Sequence, residues 1–500
     1  MKLLALMVAL PLLTAFLLSV INSISTFAAR WAGPVVLLVT AAIGLSAWPH
    51  LGDTPQAVQW GGFQAPLGIT LYADQLALLF ALAITIGALL LWPGRGEDRT
   101  EEHPDDHSRN RLRRASLALL LAGTGSGLAL SGDLFNIYVF YELLTVVSYG
   151  LIAGRGTSGS FAATLRYLVI SGFGAALALA GIALVYQAAG TLNLAQLAQL
   201  APERLNNSQG FAAFVLMLIG FGVKAELFPV NFWVPEVYAT ASSRVSALLA
   251  GVVSKLALLI IMRLLILVFH QPEALTVLLV LGVLGVASGE LAAWRARDVN
   301  RLLAFSSIGQ LGVMFIALSI PGNAGVLAAL AVAVHHLFLK PSMFLLAERW
   351  GGSIKGLAGA AKTSPLGAAL FVLLALSLIG VPPLPGFWAK LLVIMPLLAL
   401  DQPLYYFAAF IVLAAAALEA NYLFRVVLTL YDKAPAATPH KAHATVDLAT
   451  AVFLGAGLVA AVFMLAPLAE RFDFIAAQAT DVSTYIQTVA PLSLESGSVQ

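Results

Sequence analysis

Phe228-Pro229-Val230-Asn231-Phe232-Trp233-Val234-Pro235 closes an apolar run that begins near residue 210, and its two prolines stop a helix that hydropathy alone would let continue. Proline lacks an N–H and its ring clashes with the preceding turn, so the helix breaks here. A second apolar run, near 364–399, is cut by Pro382-Pro383-Leu384-Pro385-Gly386. Non-helical backbone at membrane depth survives only where it is buried in protein or lines a wet cavity. Paired breaks in two halves of a chain point to inverted repeats with a transport site at the breaks. The internal match visible in the sequence is short: proline followed by Phe232-Trp233 in one half, and by Phe387-Trp388 in the other.

The rest of the chain agrees with that reading. Its 500 residues are 60% hydrophobic and only 10% charged, with a mean hydropathy of +0.91. A soluble domain carries roughly 25% charged residues, so this is an integral membrane protein and not a water-soluble enzyme. The absence of cysteine excludes disulfides, thiolate metal sites and cysteine-ligated iron–sulfur clusters. No redox centre, cofactor or metal is expected, and nothing points to nucleic acid.

A helical span needs about 20 mostly apolar residues. That rule places helices near 3–21, 32–49, 75–92, 115–131, 133–153, 162–188, 210–228, 245–269, 273–293, 302–320, 324–347, 364–399, 403–430 and 448–468. The fold expected is all-α: a polytopic membrane protein of about 14 spans with two inverted repeats, broken in the seventh and twelfth helices. The organisation expected is 1–114 for three helices and a charged loop, 115–270 and 271–431 for the repeats, and 432–500 for a last helix and polar tail. The 3–20 stretch lacks a cationic lead beyond Lys2 and a convincing cleavage site, so it reads as the first span rather than a signal peptide. Residues 94–114 mix arginines, acids, His103 and His107 and read as a solvated loop without ligand geometry. Asn193 to Arg204 reads as a short amphipathic helix.

Lys and Arg set the orientation. With both termini outside, the outer segments hold only Lys2, Arg204 and Arg471 among the 27 cations. Five more lie inside spans, and the inner loops take the rest. One missed span would flip every later loop and destroy that asymmetry.

The five in spans are Lys224, Lys255, Arg263, Lys340 and Lys390, with Glu142, His335 and His336 at similar depth. A charge near the bilayer centre costs at least about 2.5–3.5 kcal/mol, so these groups must be sheltered in a bundle interior or hydrated. Glu142 lies about 13 Å along its span; Lys224, just before the first break, is its expected ion-pair partner. Lys255 is too far from a helix end to snorkel and reads as the next stop. His336 and Lys340 are four apart and share a helical face; histidine titrates near about 6.5 unperturbed and suits a proton relay. Lys390 follows the second break and reads as the terminal group. Glu290 and Glu419 are equally suited to local pairing or conduction. Arg263 cannot usefully deprotonate, and Asp74 and Asp133 lie at helix starts, where they complement the dipole.

At these residues the chain resembles the antiporter-like family shared by complex I, membrane hydrogenases and Mrp-type Na⁺/H⁺ antiporters. The likeness rests on Asp133-Leu-Phe-Asn…Tyr141-Glu142, Lys224…Pro229…Trp233-Val-Pro235, Ser246-Ala-Leu-Leu-Ala-Gly251…Ser254-Lys255, Arg297-Asp298…Ser306-Ser307-Ile-Gly309, His336…Lys340 and Gly386-Phe…Lys390. Within the family, Ser131 to Glu142 followed by Ser148-Tyr149 is most similar to the D-type subunits of Mrp antiporters. The resemblance implies a multi-pass subunit of a bacterial plasma membrane complex that exchanges protons for a monovalent cation, Na⁺ foremost, beside other membrane subunits. It also implies a relay through Glu142, Lys224, Lys255, His336, Lys340 and Lys390. The alternative within the family is a proton-pumping subunit of a complex I-like or hydrogenase assembly. Asn231, Tyr238 and Gln310 depart from residues common in the complex I relatives.

Overall fold

Among the described residues of the computed structural model, ten helices are long and apolar enough to cross a membrane, from Leu3–Ile24 to Val446–Phe463. The structure describes residues 2–60, 68–92, 104–350, 352–433 and 445–489. Four more spans escape the length rule. The third is short, Gln75–Leu90, and the fourth, Pro104–Leu130, begins in charged sequence. The seventh is split into Ser208–Gly222 and Val234–Thr240, and the twelfth into Pro365–Ile379 and Pro385–Ala399. Among the described residues that makes fourteen spans, against about 14 expected, with both breaks where the prolines put them.

Spans four to eight hold the first break and spans nine to thirteen the second; a set of five crossings reverses the direction of the set that follows it, as inverted repeats require. Local signatures match across them. The fifth span, Leu134–Ala153, is N-capped by Asp133, and the tenth, Val299–Leu318, by Asp298. Each capping aspartate also forms an isolated bridge to the loop after the following long helix, Asp133 with Asn193 and Asp298 with Ser353.

Burial is graded from the rim inward. The eighth span, Ser243–Leu267, is buried along its length and the tenth and eleventh nearly so, while the first and fourteenth face mostly outward. The interior is therefore shielded from lipid, which is where charge can be sheltered. Close helix approach tightens it further: a Cβ at Gly289 would lie 2.5 Å from the Gly309 backbone nitrogen, so only glycine lets the ninth and tenth spans meet there. That approach delivers Glu290 against the tenth span.

Three expectations are corrected. Residues 104–114, expected in a loop, are the opening turns of the fourth helix; proline fits a first helical position because its missing N–H has no partner there anyway. His103 lies outside the described residues, as do residues 94–102. An antiparallel hairpin, Gln56–Gln59 with Thr70–Ala73, interrupts the all-α pattern. Most of the polar tail is helical, as Leu465–Thr480 and Val482–Val489. These helices dock on the hairpin end of the bundle: Tyr485 packs on Tyr72 with ring centroids 4.1 Å apart, and the Gln478 side chain bonds the Gln75 N–H and the Leu51 carbonyl. Residues 490–500 lie outside the described residues. The amphipathic helix after Asn193 is present as Leu194–Arg204.

Candidate functional site

At the first break the freed carbonyls are taken up by side chains. Tyr141 donates its hydroxyl to the Gly220 carbonyl at 3.0 Å. Trp233 donates to Val223 at 3.0 Å, and Asn231 Nδ2 to Glu226 at 3.2 Å. A helix end would otherwise leave these groups unsatisfied in a dry interior. Lys224 emerges between them, fully buried, with its Nζ 3.5 Å above the Tyr141 ring and bonded to Thr145 Oγ1. The direct ion pair expected between Lys224 and Glu142 is not formed. Thr145 lies one turn beyond Glu142 on the same helix and takes the ammonium, so the two charges act on each other through space. Glu142 is half-buried, and its Oε1 has no partner.

The eighth span carries a π-helical segment, Leu249–Val253, directly before Lys255. A π-turn shifts the hydrogen-bond ladder and releases carbonyls; Lys255 Nζ donates to one of them, Ala250, at 2.5 Å, and to Ser254 Oγ at 3.1 Å. Gly251 lets this segment sit on Pro341 of the eleventh span, where a Cβ would lie 2.5 Å from Pro341 Cγ. Across that contact Lys340 Nζ donates to the Leu303 carbonyl at 3.1 Å and Ser306 Oγ at 2.8 Å. His336 is within electrostatic reach of both Lys255 and Lys340, and neither of its ring nitrogens has a partner. Lys255, His336 and Lys340 thus form one fully buried centre.

In the row formed by Glu142, Lys224, Lys255, His336, Lys340 and Lys390, all of them described residues, only Lys390, at the second break, makes a contacting ion pair. Lys390 donates to the Ile379 carbonyl at 3.1 Å and pairs with Glu419 of the thirteenth span. Gln310 donates to the other Glu419 oxygen. Tyr422, one turn from Glu419, donates to Glu290 Oε2 at 3.0 Å, and its hydroxyl also faces Ser306, the partner of Lys340. A polar bridge therefore runs from Lys340 through Ser306 and Tyr422 to Glu290. His335 turns away from this bridge and shares a 2.9 Å hydrogen bond with Ser377.

Two other aspartates behave as their positions require. Asp133 caps the fifth span, accepting from Phe135 and Asn136 N–H groups at 3.0 Å. Asp74 caps the third span and also pairs with Arg263. Among the described residues, no group of three or more His, Cys, Asp or Glu side chains forms a potential metal cage.

Sequence reasoning passed over Glu226 and Tyr422 and left Glu290 and Glu419 undecided. A signal existed for Glu226, since a carboxylate two residues after an intramembrane lysine is itself anomalous. Tyr422 gave none, because a tyrosine in an apolar run is common.

Residues 131–416, which contain every member of the row, match the family profile described as NADH:quinone oxidoreductase/Mrp antiporter, transmembrane. The chain is 32% identical over 368 residues to the D-type subunit of the Na(+)/H(+) antiporter of Alkalihalophilus pseudofirmus, covering 72% of this chain and 73% of the relative. It is 32% identical over 416 residues to the N-type subunit of the NADH-quinone oxidoreductase of Desulforudis audaxviator, covering 80% of each. Among solved structures it is similar to a chain of the membrane-bound sulfane sulfur reductase, an archaeal respiratory membrane complex, with a TM-score of 0.88 and 29% identity over 98% of this chain and 100% of that one. It is similar to a chain of the Mrp complex from Dietzia sp. DQ12-45-1b, with a TM-score of 0.87 and 26% identity over 97% of this chain and 98% of that one.

Proposed function

The chain belongs to the NADH:quinone oxidoreductase/Mrp antiporter transmembrane family, and from that premise we propose that it is the proton-conducting subunit of a multisubunit Na⁺/H⁺ antiporter. One observation carries the reading: Lys224, Lys255 and Lys340 are fully buried, and each is bonded only to hydroxyl or carbonyl groups. An ammonium held by neutral acceptors can release its proton without leaving a contacting carboxylate unpaired. Lys390 differs, because release there strips Glu419 of its counter-charge. Proton departure past Lys390 is therefore tied to arrival of another charge on the Lys340, Tyr422 and Glu290 side.

In this reading a proton enters near Glu142, whose charge biases Lys224, and passes Lys255, His336 and Lys340 before leaving past Lys390. Both termini face outward in a bacterial plasma membrane, following the cation asymmetry of the loops, and other membrane subunits of the antiporter complete the assembly. The second reading, a proton-pumping subunit of a redox-driven assembly, is favoured by the likeness to the NADH-quinone oxidoreductase relative and to the sulfane sulfur reductase. It keeps the same path and changes only the energy source.

The test is Na⁺-dependent proton movement in vesicles holding the whole complex, repeated with Glu142→Ala and Lys224→Ala. Both variants are expected to assemble and lose exchange. Normal exchange in both leaves the row a packing role, and activity that requires NADH or quinone favours the second reading.

A further inference from the structure

Glu226 lies in the first break with only 1% of its surface exposed and with a left-handed backbone, φ 56°. A non-glycine residue with a side chain this large is strained there and persists only where its surroundings fix it. Three bonds do so: Asn231 Nδ2 on its carbonyl at 3.2 Å, the following N–H of Leu227 on Gly222 at 2.9 Å, and the Tyr238 hydroxyl on its Oε1 at 2.7 Å. The fold thus tolerates backbone strain to hold a carboxylate in place. Its second oxygen, Oε2, is buried without a partner, as are Ser307 Oγ and both nitrogens of His336. Ser307 borders the carboxylate, and Lys255 and Lys340 act on it from the eighth and eleventh spans. His336 faces the same two lysines, and buried polar atoms left without a protein partner are the usual lining of ordered water.

We propose that Glu226 carries protons between the first break and the central lysines, over water held by Ser307 and His336. The step balances without electrons. A proton leaves Lys224 Nζ, turning ammonium into amine, and crosses water to Glu226 Oε2, turning carboxylate into carboxylic acid. It then passes to the amine of Lys255, regenerating the carboxylate. Tyr238 is a positioning residue that keeps the carboxyl group aimed at the water. This inference rests on the proton-conducting reading above and adds to it a group that joins Lys224 to Lys255.

The experiment uses the complete complex in vesicles, with assembly read by co-purification. Glu226→Gln keeps the shape and cannot take up a proton; exchange should fall on the order of a hundredfold, the low end for a positioned proton-transfer group. Glu226→Asp should keep measurable exchange. Acid-induced infrared difference spectra should show a carboxylic C=O band that Glu226→Gln lacks. Wild-type exchange in Glu226→Gln beside a dead Lys224→Ala overturns the inference alone. Slow exchange in Glu226→Gln with the band unchanged makes Glu226 a fixed counter-charge and also overturns it. If the wild-type complex moves no protons with Na⁺, the functional reading has failed, and the infrared band still decides whether Glu226 is protonated. Should Glu226→Gln not assemble, Tyr238→Phe is read instead: exchange several-fold slower supports the step, and an unchanged rate overturns it.

Discussion

Asp74 and Arg263 make the sharpest energetic test of how this interior tolerates charge. Asp74 is fully buried and Arg263 nearly so, and one guanidinium nitrogen reaches both carboxylate oxygens, at 2.6 and 2.5 Å. Asp74 also accepts the Ala77 N–H at 2.8 Å as the N-cap of the third span. Breaking a buried pair by removing one partner costs about 3–5 kcal/mol, because the other charge stays buried. Losing an N-cap costs about 1 kcal/mol. Asp74→Ala removes both and should destabilise by about 4–6 kcal/mol. Asn caps as well as Asp, so Asp74→Asn isolates the ionic part at about 3–5 kcal/mol. Arg263→Met should cost a similar amount. Removing both charges together leaves nothing unpaired, so Asp74→Ala with Arg263→Met should return to within about 1–2 kcal/mol of the wild type. Reversible unfolding in mixed detergent micelles reads all four, and exchange per assembled complex should not change. Asp74→Ala within about 1 kcal/mol of wild type, or a double variant as unstable as the two singles summed, would refute the assignment of the pair as a buried, mutually dependent strut.

Lys390→Ala leaves Glu419 buried and unpaired, at a cost of about 3–5 kcal/mol; co-purification should fall, and adding Glu419→Gln should recover assembly in a complex that still lacks exchange. Gly251→Ala places a Cβ 2.5 Å from Pro341 Cγ, and should cost about 1–3 kcal/mol as overpacking. Gly172→Ala, with nothing within 4 Å, is the neutral control in the same thermal scan. Asp481 lies after the last span, and bonds from Ser483 and Thr484 hold its carboxyl below the usual carboxylate range. A folded value below the unfolded one stabilises at neutral pH and is lost as pH falls through the folded value. Amide protection factors across Val482–Val489, taken against the intrinsic rate at each pH, should therefore fall on acidification to below the ordinary carboxylate range, with Asp481→Asn flattening the response.

Several features of the fold were legible without coordinates because they are properties of single residues or short runs. A proline has no N–H wherever it stands, so both breaks could be located in advance. A lysine in an apolar run needs shelter whatever its partner, so Lys224, Lys255, Lys340 and Lys390 could be picked out. Asp133 caps its helix through bonds within the next three residues, a local arrangement that its position already suggested. The C-terminal helices escaped because Leu465–Val489 is amphipathic. A rule that looks for continuous apolar length reads such a stretch as a polar tail.

What only the tertiary structure decided is who meets whom. Gln310 reaches Glu419 across 109 residues of sequence, and Lys224 reaches Thr145 across 79, so the threonine and not Glu142 receives the ammonium. The π-turn before Lys255 packs on Pro341 of another span, and Glu226 gains its meaning from Tyr238, Ser307 and the facing lysines. Hydropathy and backbone chemistry are properties of one residue and its neighbours, and the chain carries them openly. A hydrogen bond or ion pair is a property of two groups, and which two is set by how fourteen helices turn their faces to one another.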